Sequence, residues 1–312
     1  MYRNMNSIFN TNNIGQELLP IANDIEEINK LLITENIIES TFLPKIYVLS
    51  SVHGYFDTIK YLHPHLISNK FFDDMLKYST LYAVENNHTN IAEFLFENGA
   101  DSNYEYEKIS AGFCIRTTIL EHAVEKNNLC LVSQLLLKYG ALLRKSINAL
   151  TYAARNGNIE MIQYLLYEGV DINECDSGIF HNESPLIVAA EEGYAEIVNY
   201  LIKHGADINR DGEDALARAY LEKRLDVIKV LVGHNVCYAK VDFYVPDPFG
   251  SHTDDSIVEV TPEKLLDMFI KHKDFDFIEK KLNSCQDIIK DKMSKQFNKE
   301  NISFVELICD DQ

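Results

Sequence analysis

Between residues 184 and 209 the chain reads SPLIVAAEEGYAEIVNYLIKHGADIN, with apolar positions three and four apart in two short runs on either side of Gly193. That spacing gives each run one buried stripe and predicts two helices folded back on one another. Counting from Gly193, Leu186 stands seven residues before and Ala189 four before; Ile197, Val198, Leu201 and Ile202 follow, and Gly205 closes the second run. A small residue such as Ala189 lets a neighbouring helix approach closely. Glycine at the pivot and at the close suits backbone turns that other side chains resist.

The frame recurs. Around Gly157 it holds Leu150, Ala153, Met161, Ile162, Leu165, Leu166 and Gly169; around Lys223 it holds Leu216, Ala219, Val227, Ile228, Leu231, Val232 and Asn235. Around Asn127 the closing glycine, Gly140, comes one residue late, and around Asn87 the first leucine is replaced by Thr80. Fainter copies pivot on Asn23, Gly54 and Lys273, so the pivots are separated by 31, 33, 40, 30, 36, 30 and 50 residues. A period of about 33 with insertions is the mark of a repeat array. Neither helix of a unit buries its stripe alone, so the units must stack, and an all-α solenoid of helix-turn-helix units is expected. Lys223 and Asn127 make their turns less favourable than glycine would.

Residues 184–209 resemble the ankyrin repeat, whose pattern runs T-P-L-H-x-A-A, then G-H, a leucine-rich second helix and G-A-D-x-N. GADSN at 99–103, GVDIN at 169–173 and GADIN at 205–209 look like the start of the family's projecting hairpin. The match is strong over 80–236 and weak before 45 and after 260; only Ser184-Pro185-Leu186 approaches T-P-L-H. The Asn- and Ile-rich style is similar to the ankyrin-repeat proteins of giant DNA viruses.

The expected organisation is a disordered segment at 1–13, capping helices or a degenerate repeat at 14–45, repeats over 46–236, an extended finger at 237–261, and a degenerate last repeat and cap at 262–312. Insertions at 104–116 and 174–183 lengthen two hairpins. In the largest, 238–260, Val241, Phe243 and Val245 alternate with other residues, as do Val258 and Val260, with Pro246, Pro248 and Gly250 between the runs; a two-stranded finger is predicted.

Composition then narrows function. The formal charge of −19 opposes a phosphate backbone and argues against nucleic acid as partner. No run of about 18 apolar residues and no signal-peptide pattern occurs, so neither a membrane span nor export is expected. Six cysteines, Cys114, Cys130, Cys175, Cys237, Cys285 and Cys309, stand far apart without a C-x-x-C pair and read as reduced thiols in a cytoplasmic setting.

The catalytic signatures are missing: there is no phosphate-cradling glycine loop and no G-x-S-x-G elbow. His63-Pro64-His65 could offer two imidazoles to a metal but reads better as a surface loop. His252, Asp254 and Asp255 read as a turn rather than a metal site, Asp247-Pro248-Phe249-Gly250 as a turn rather than a kinase motif, and Cys114 with Arg116 as packing or a loop thiol. No cofactor, no metal and no catalytic residue is expected.

The ankyrin resemblance implies a non-catalytic protein-binding scaffold, monomeric, that uses its concave face. Carried over position by position, the residues before each pivot are Glu85 and Asn86, Glu125 and Lys126, Arg155 and Asn156, Glu191 and Glu192, Leu221 and Glu222. Those before each closing position are Asn98, Tyr139, Glu168, His204 and His234. The predominance of Glu points to a partner with a basic surface. Asn103, Asn173 and Asn209 serve the hairpin turns; in the family such asparagines can also be hydroxylated. A viral protein that captures a host protein, a virion component, and an enzyme sited in 238–260 are the alternative readings; an adaptor for ubiquitin ligation would need a terminal motif that is not found.

Overall fold

A computed structural model describes residues 18–34, 37, 40–110, 113–174, 184–236, 239–243, 256–272 and 274. The chain forms two compact units, one ending at Val170 and the other beginning at Asp171. The first unit starts with the short pair α1 (Leu19–Ala22) and α2 (Ile25–Thr34), followed by α3 (Phe42–His53) with α4 (Phe56–Leu66) and α5 (Phe72–Glu85) with α6 (Thr89–Glu97). A hairpin of β1 (Glu105–Ser110) and β2 (Phe113–Thr118) leads into α7 (Ile119–Glu125) with α8 (Leu129–Leu137) and α9 (Ala149–Arg155) with α10 (Ile159–Tyr167). In the second unit α11 (Pro185–Glu192) pairs with α12 (Ala195–Lys203) and α13 (Ile208–Leu221) with α14 (Leu225–Gly233); then come β3 (Ala239–Phe243), β4 (Ser256–Val260) and α15 (Pro262–Lys271).

Within each unit like packs against like. The first helices α1, α3, α5, α7 and α9 adjoin in sequence to form one layer, and the second helices lie behind them; α11 and α13 repeat the arrangement, as do α12 and α14. The frame residues make the core: Leu120, Ala123, Leu131, Val132 and Leu135 are buried, as are Leu150, Ala153, Met161, Ile162 and Leu165. Burying each such leucine is worth about 2 kcal/mol, and only a stacked neighbour supplies the cover.

The turns explain the pivots. Gly54, Asn87, Asn127, Gly157, Gly193 and Lys223 all adopt left-handed backbone, at φ 79, 60, 59, 69, 95 and 57°. The amide after each pivot donates to the carbonyl five residues back: His88 to Ala83 (2.7 Å), Asn128 to Ala123 (2.9 Å), Asn158 to Ala153 (3.2 Å), Tyr194 to Ala189 (3.0 Å), Arg224 to Ala219 (2.8 Å). This is the Schellman closure of a helix end. The alanine of the frame thus both admits the neighbouring helix and supplies the closing carbonyl. Second helices end likewise, with Gly99, Gly140, Gly169, Gly205 and Asn235 left-handed. At Gly140, one residue late, Ala141 reaches Leu135, six residues back, where the others reach five. Asn23 is different, at φ −108°, and Lys273 lies outside the described residues.

Both insertions with described strands are antiparallel ribbons. Glu105 pairs with Thr118 and Ser110 with Phe113; Ala239 pairs with Val260, Val241 with Val258 and Phe243 with Ser256. Residues 1–13, 175–183, 244–255 and 275–312 lie outside the described residues, and with them the expected disordered segment, most of the 174–183 insertion, His252, Asp254, Asp255, the turn at 247–250 and most of the C-terminal cap.

Two expectations are corrected. Residues 205–209 do not start a hairpin: Asp207 accepts hydrogen bonds from the Asn209 and Arg210 amides (3.0 and 3.2 Å), and this N-cap sends the chain straight into α13. His63-Pro64-His65 is no surface loop but the last turn of α4. Pro64 lies inside that turn and has no amide hydrogen to give the Lys60 carbonyl. His63 is buried, its Nδ1 paired with the Tyr47 hydroxyl at 2.7 Å and its ring edge-on to Phe72 and Phe94. Burial holds this imidazole below its ordinary pKa.

Candidate protein-binding face

On the first helices, the positions nine, five and two before the pivot point directly away from the frame's leucine and alanine, since 3.6 residues make a turn. In the first unit this stripe carries Tyr78, Tyr82 and Glu85 on α5, His122 and Glu125 on α7, and Tyr152 and Arg155 on α9; Tyr78, Tyr82 and His122 are buried. In the second it carries Val188 and Glu191 on α11, Arg218 and Leu221 on α13; Val188 is buried, the Arg218 side chain is 14% exposed, and Leu221 is exposed. The residues five before the pivot went unread in the sequence, because the family resemblance directs attention to the last two positions before the turn.

The β1–β2 hairpin folds onto part of this stripe. Tyr106 is buried; its hydroxyl donates to the Lys77 carbonyl at 2.9 Å and its ring stands edge-on to His122 at 6.3 Å. Burial raises its hydroxyl pKa well above the usual value, with neighbouring Tyr104, Asp101, Tyr78 and Glu85 adding to the shift. Tyr104 stacks edge-on against Tyr106 and receives the Lys77 ammonium over its ring at 4.1 Å. At the start of α7, Glu121 is almost wholly buried. It is held in a capping box with Thr118 and accepts the Thr118 and Asn148 amides at 2.9 and 2.8 Å. Its carboxyl is nonetheless pushed up, desolvation outweighing those bonds.

The sequence-named rows separate. Second helices α6, α8, α10, α12 and α14 are nine residues long, so the row before the pivots and the row before the closing positions stand about 13 Å apart at opposite ends of each pair. At the pivot end Glu85 and Glu125 are half-buried, and Asn86, Lys126, Arg155 and Asn156 are exposed. Two of these are structural: Asn156 Nδ2 donates to the Val124 and Glu125 carbonyls at 3.0 and 2.9 Å, and Asn86 Nδ2 to the Tyr82 carbonyl at 2.8 Å. Glu191 and Glu192 are half-buried, Glu191 in an ion pair with Arg218; Leu221 and Glu222 are exposed. At the closing end Asn98 Nδ2 donates to the Phe94 carbonyl (2.7 Å), and Tyr139 packs on Phe96 with ring centres 4.9 Å apart. There too His204 stacks on Tyr200, His234 reaches Asn199 at 3.4 Å, and Glu168 is half-buried.

Asn103 and Asn173 tie successive repeats together. Asn103 Nδ2 donates to the Gly140 carbonyl (3.0 Å) and its Oδ1 accepts the Leu142 amide (2.8 Å); Asn173 does the same to Gly205 (3.1 Å) and Asp207 (2.7 Å). Asn209 is exposed in the first turn of α13.

Stacked helix pairs closed by left-handed turns and tied through hairpin-root asparagines define a helical repeat module. Residues 108–176 and 150–242 match the family model described as ankyrin repeats (3 copies), so the chain contains ankyrin repeats. It is also similar to the crystal structure of the human ASB11 ankyrin repeat domain, at 21% identity and a TM-score of 0.49, covering 71% of this chain and 96% of that one. No curated protein matches the chain. Among the described residues no helix is long and apolar enough to cross a membrane, and no group of three or more His, Cys, Asp or Glu side chains is arranged to hold a metal ion.

Proposed function

We propose that this chain is a non-catalytic protein-binding module whose partner lies on the outward stripe of the first helices. Ankyrin repeats typically serve as protein-interaction modules, and one observation carries the reading to this face. On the side of α9 turned away from the frame, where solvent alone would be satisfied by any short polar residue, Arg155 is exposed and Tyr152 half-buried. Large, rigid aromatic and guanidinium groups are the residues that dominate protein interfaces. Glu85, Glu125, Glu191 and Glu192 favour a partner with a basic surface and speed its approach.

The test is affinity capture from expressing cells with the wild type, Arg155→Glu and Glu192→Lys. Glu191 is left unchanged because it holds Arg218. Partners that survive both changes in variants that melt like the wild type would refute the reading.

A cytoplasmic setting, a viral origin with a host partner, and a role in a virion are narrower forms of this proposal. The last two have only the Asn- and Ile-rich style behind them, and the binding reading stands without it. Asn103, Asn173 and Asn209 are proposed as hydroxylation targets with Asn209 first, since its side chain is exposed. Peptide mass spectrometry from cells rich in an asparaginyl hydroxylase would show the added oxygen.

A further inference from the structure

We propose that an open groove of about 1200 Å³ beside α3, bounded by α1 and the start of α2, docks a partner segment in which one apolar side chain is flanked by lysine or arginine. This rests on the stripe being a binding face and gives the chemistry of the occupant at one end of it.

The stripe changes character on α3. At the positions five and two before the pivot, the later first helices of the same unit carry Tyr82 and Glu85, His122 and Glu125, Tyr152 and Arg155; α3 carries Leu49 and Val52. Both line the groove together with Leu19 and Ile25, and Ile25 is 40% exposed. An apolar floor open to water gains about 25 cal/mol for each Å² that a partner covers.

The turn edge opens at the same place. In later pairs the residue after the pivot reaches back and closes onto the preceding turn: His88 to the Val52 carbonyl (3.1 Å), Asn128 to the Asn87 side chain (2.6 Å), Arg224 to the Glu191 carbonyl (2.9 Å). Tyr55, the equivalent on α4, instead stacks on His53, with ring centres 5.8 Å apart and planes 24° from parallel. Both rings border the groove.

Charge selects the occupant. Asp24 and Glu26 are exposed on the rim, and among the described residues neither lysine nor arginine lines the groove. A purely apolar segment would strip water from these carboxylates without replacing it, and an acidic one would be repelled. A cation beside the apolar anchor meets the carboxylates and the faces of the two rings.

Three fluorescein-labelled peptides test this against the full chain: GKRLKRG, GKRNKRG and GEELEEG. GKRLKRG is expected to bind saturably, GKRNKRG at least tenfold more weakly, and GEELEEG not at all. Glu26→Lys and Val52→Asp are each expected to weaken GKRLKRG at least tenfold, while Glu160→Lys, on the outer side of α10, changes it less than twofold. Val52→Ala, which keeps an apolar backbone cover, replaces Val52→Asp if the latter shifts the thermal melt. Equal binding of the leucine and asparagine peptides, equal losses for Glu26→Lys and Glu160→Lys, or no saturable binding would each overturn the proposal. Partner capture that is lost in Arg155→Glu but kept in Glu26→Lys would overturn the groove while leaving the binding face standing.

Discussion

The ring of His88 occupies the space that a β-carbon on Gly54 would need: its Cε1 lies 2.8 Å from that position, while its Nε2 bonds the Val52 carbonyl at 3.1 Å. The same relation joins Gly193 to Arg224, whose Cδ lies 2.8 Å from the missing β-carbon and whose Nε donates to the Glu191 carbonyl. Where the next repeat carries a smaller asparagine, at Asn128 or Asn158, the pivot below is itself an asparagine, Asn87 or Asn127, and the two side chains hydrogen-bond. The pivot and the following repeat's first turn residue are therefore matched in size.

Gly54→Ala combines left-handed strain with this clash and is expected to destabilise by about 1–3 kcal/mol. Pairing it with His88→Ala recovers the steric part and leaves the strain. A urea-denaturation double-mutant cycle measures the difference.

Lys223 holds left-handed backbone with nothing but its own β-carbon opposing the change, so Lys223→Gly is expected to stabilise by about 0.5–1 kcal/mol. The midpoint in urea should rise with an unchanged slope.

Asn173→Ala removes the two bonds to Gly205 and Asp207 and leaves their exposed backbone groups to water, at a cost of about 1–2 kcal/mol for the pair. Asn209→Ala, at an exposed first-turn position, is expected to cost under about 0.5 kcal/mol. Thermal melts of the two variants distinguish them.

His63 has its folded pKa lowered by burial below the ordinary value of 6.5, so the unfolded chain binds its proton more readily. The contribution is fully present above pH 6.5 and is lost as pH falls through the lowered folded value. With both ring nitrogens protonated, Nδ1 can only donate to the Tyr47 hydroxyl. Unfolding free energies from pH 7.5 to 5 are expected to decline in the wild type and to decline less in His63→Gln.

Tyr106→Ala uncovers His122 and frees the Lys77 carbonyl; a loss of about 3 kcal/mol is expected, with faster amide exchange in β1 and β2.

The repeat fold was legible because its turns leave a chemical trace: a left-handed pivot selects glycine or asparagine, and the alanine four before it must stay small. Lys223 violates that preference and was found only through the apolar frame around it, which packing holds in place. What escaped the sequence depends on distance along the chain. Tyr106 looks like any strand tyrosine until it crosses to Lys77 and His122, and His63 looks like a loop residue until Tyr47, sixteen positions earlier, supplies a partner inside the core. On the proposed binding face, the residues next to the turn were named from family resemblance, and Asn156 and Glu191 are occupied by structural bonds. The stripe around Tyr152 emerges only once the helix direction is known.

In the first unit the β1–β2 ribbon is rooted between Glu105 and Thr118, while the asparagine ties Asn87–Asn128 and Asn127–Asn158 join neighbouring pairs at the pivots without passing through it. Length added at the tip of that ribbon, beyond Tyr106, leaves those ties untouched, so the ribbon works as a splice site at which a longer finger is grafted onto an unaltered frame.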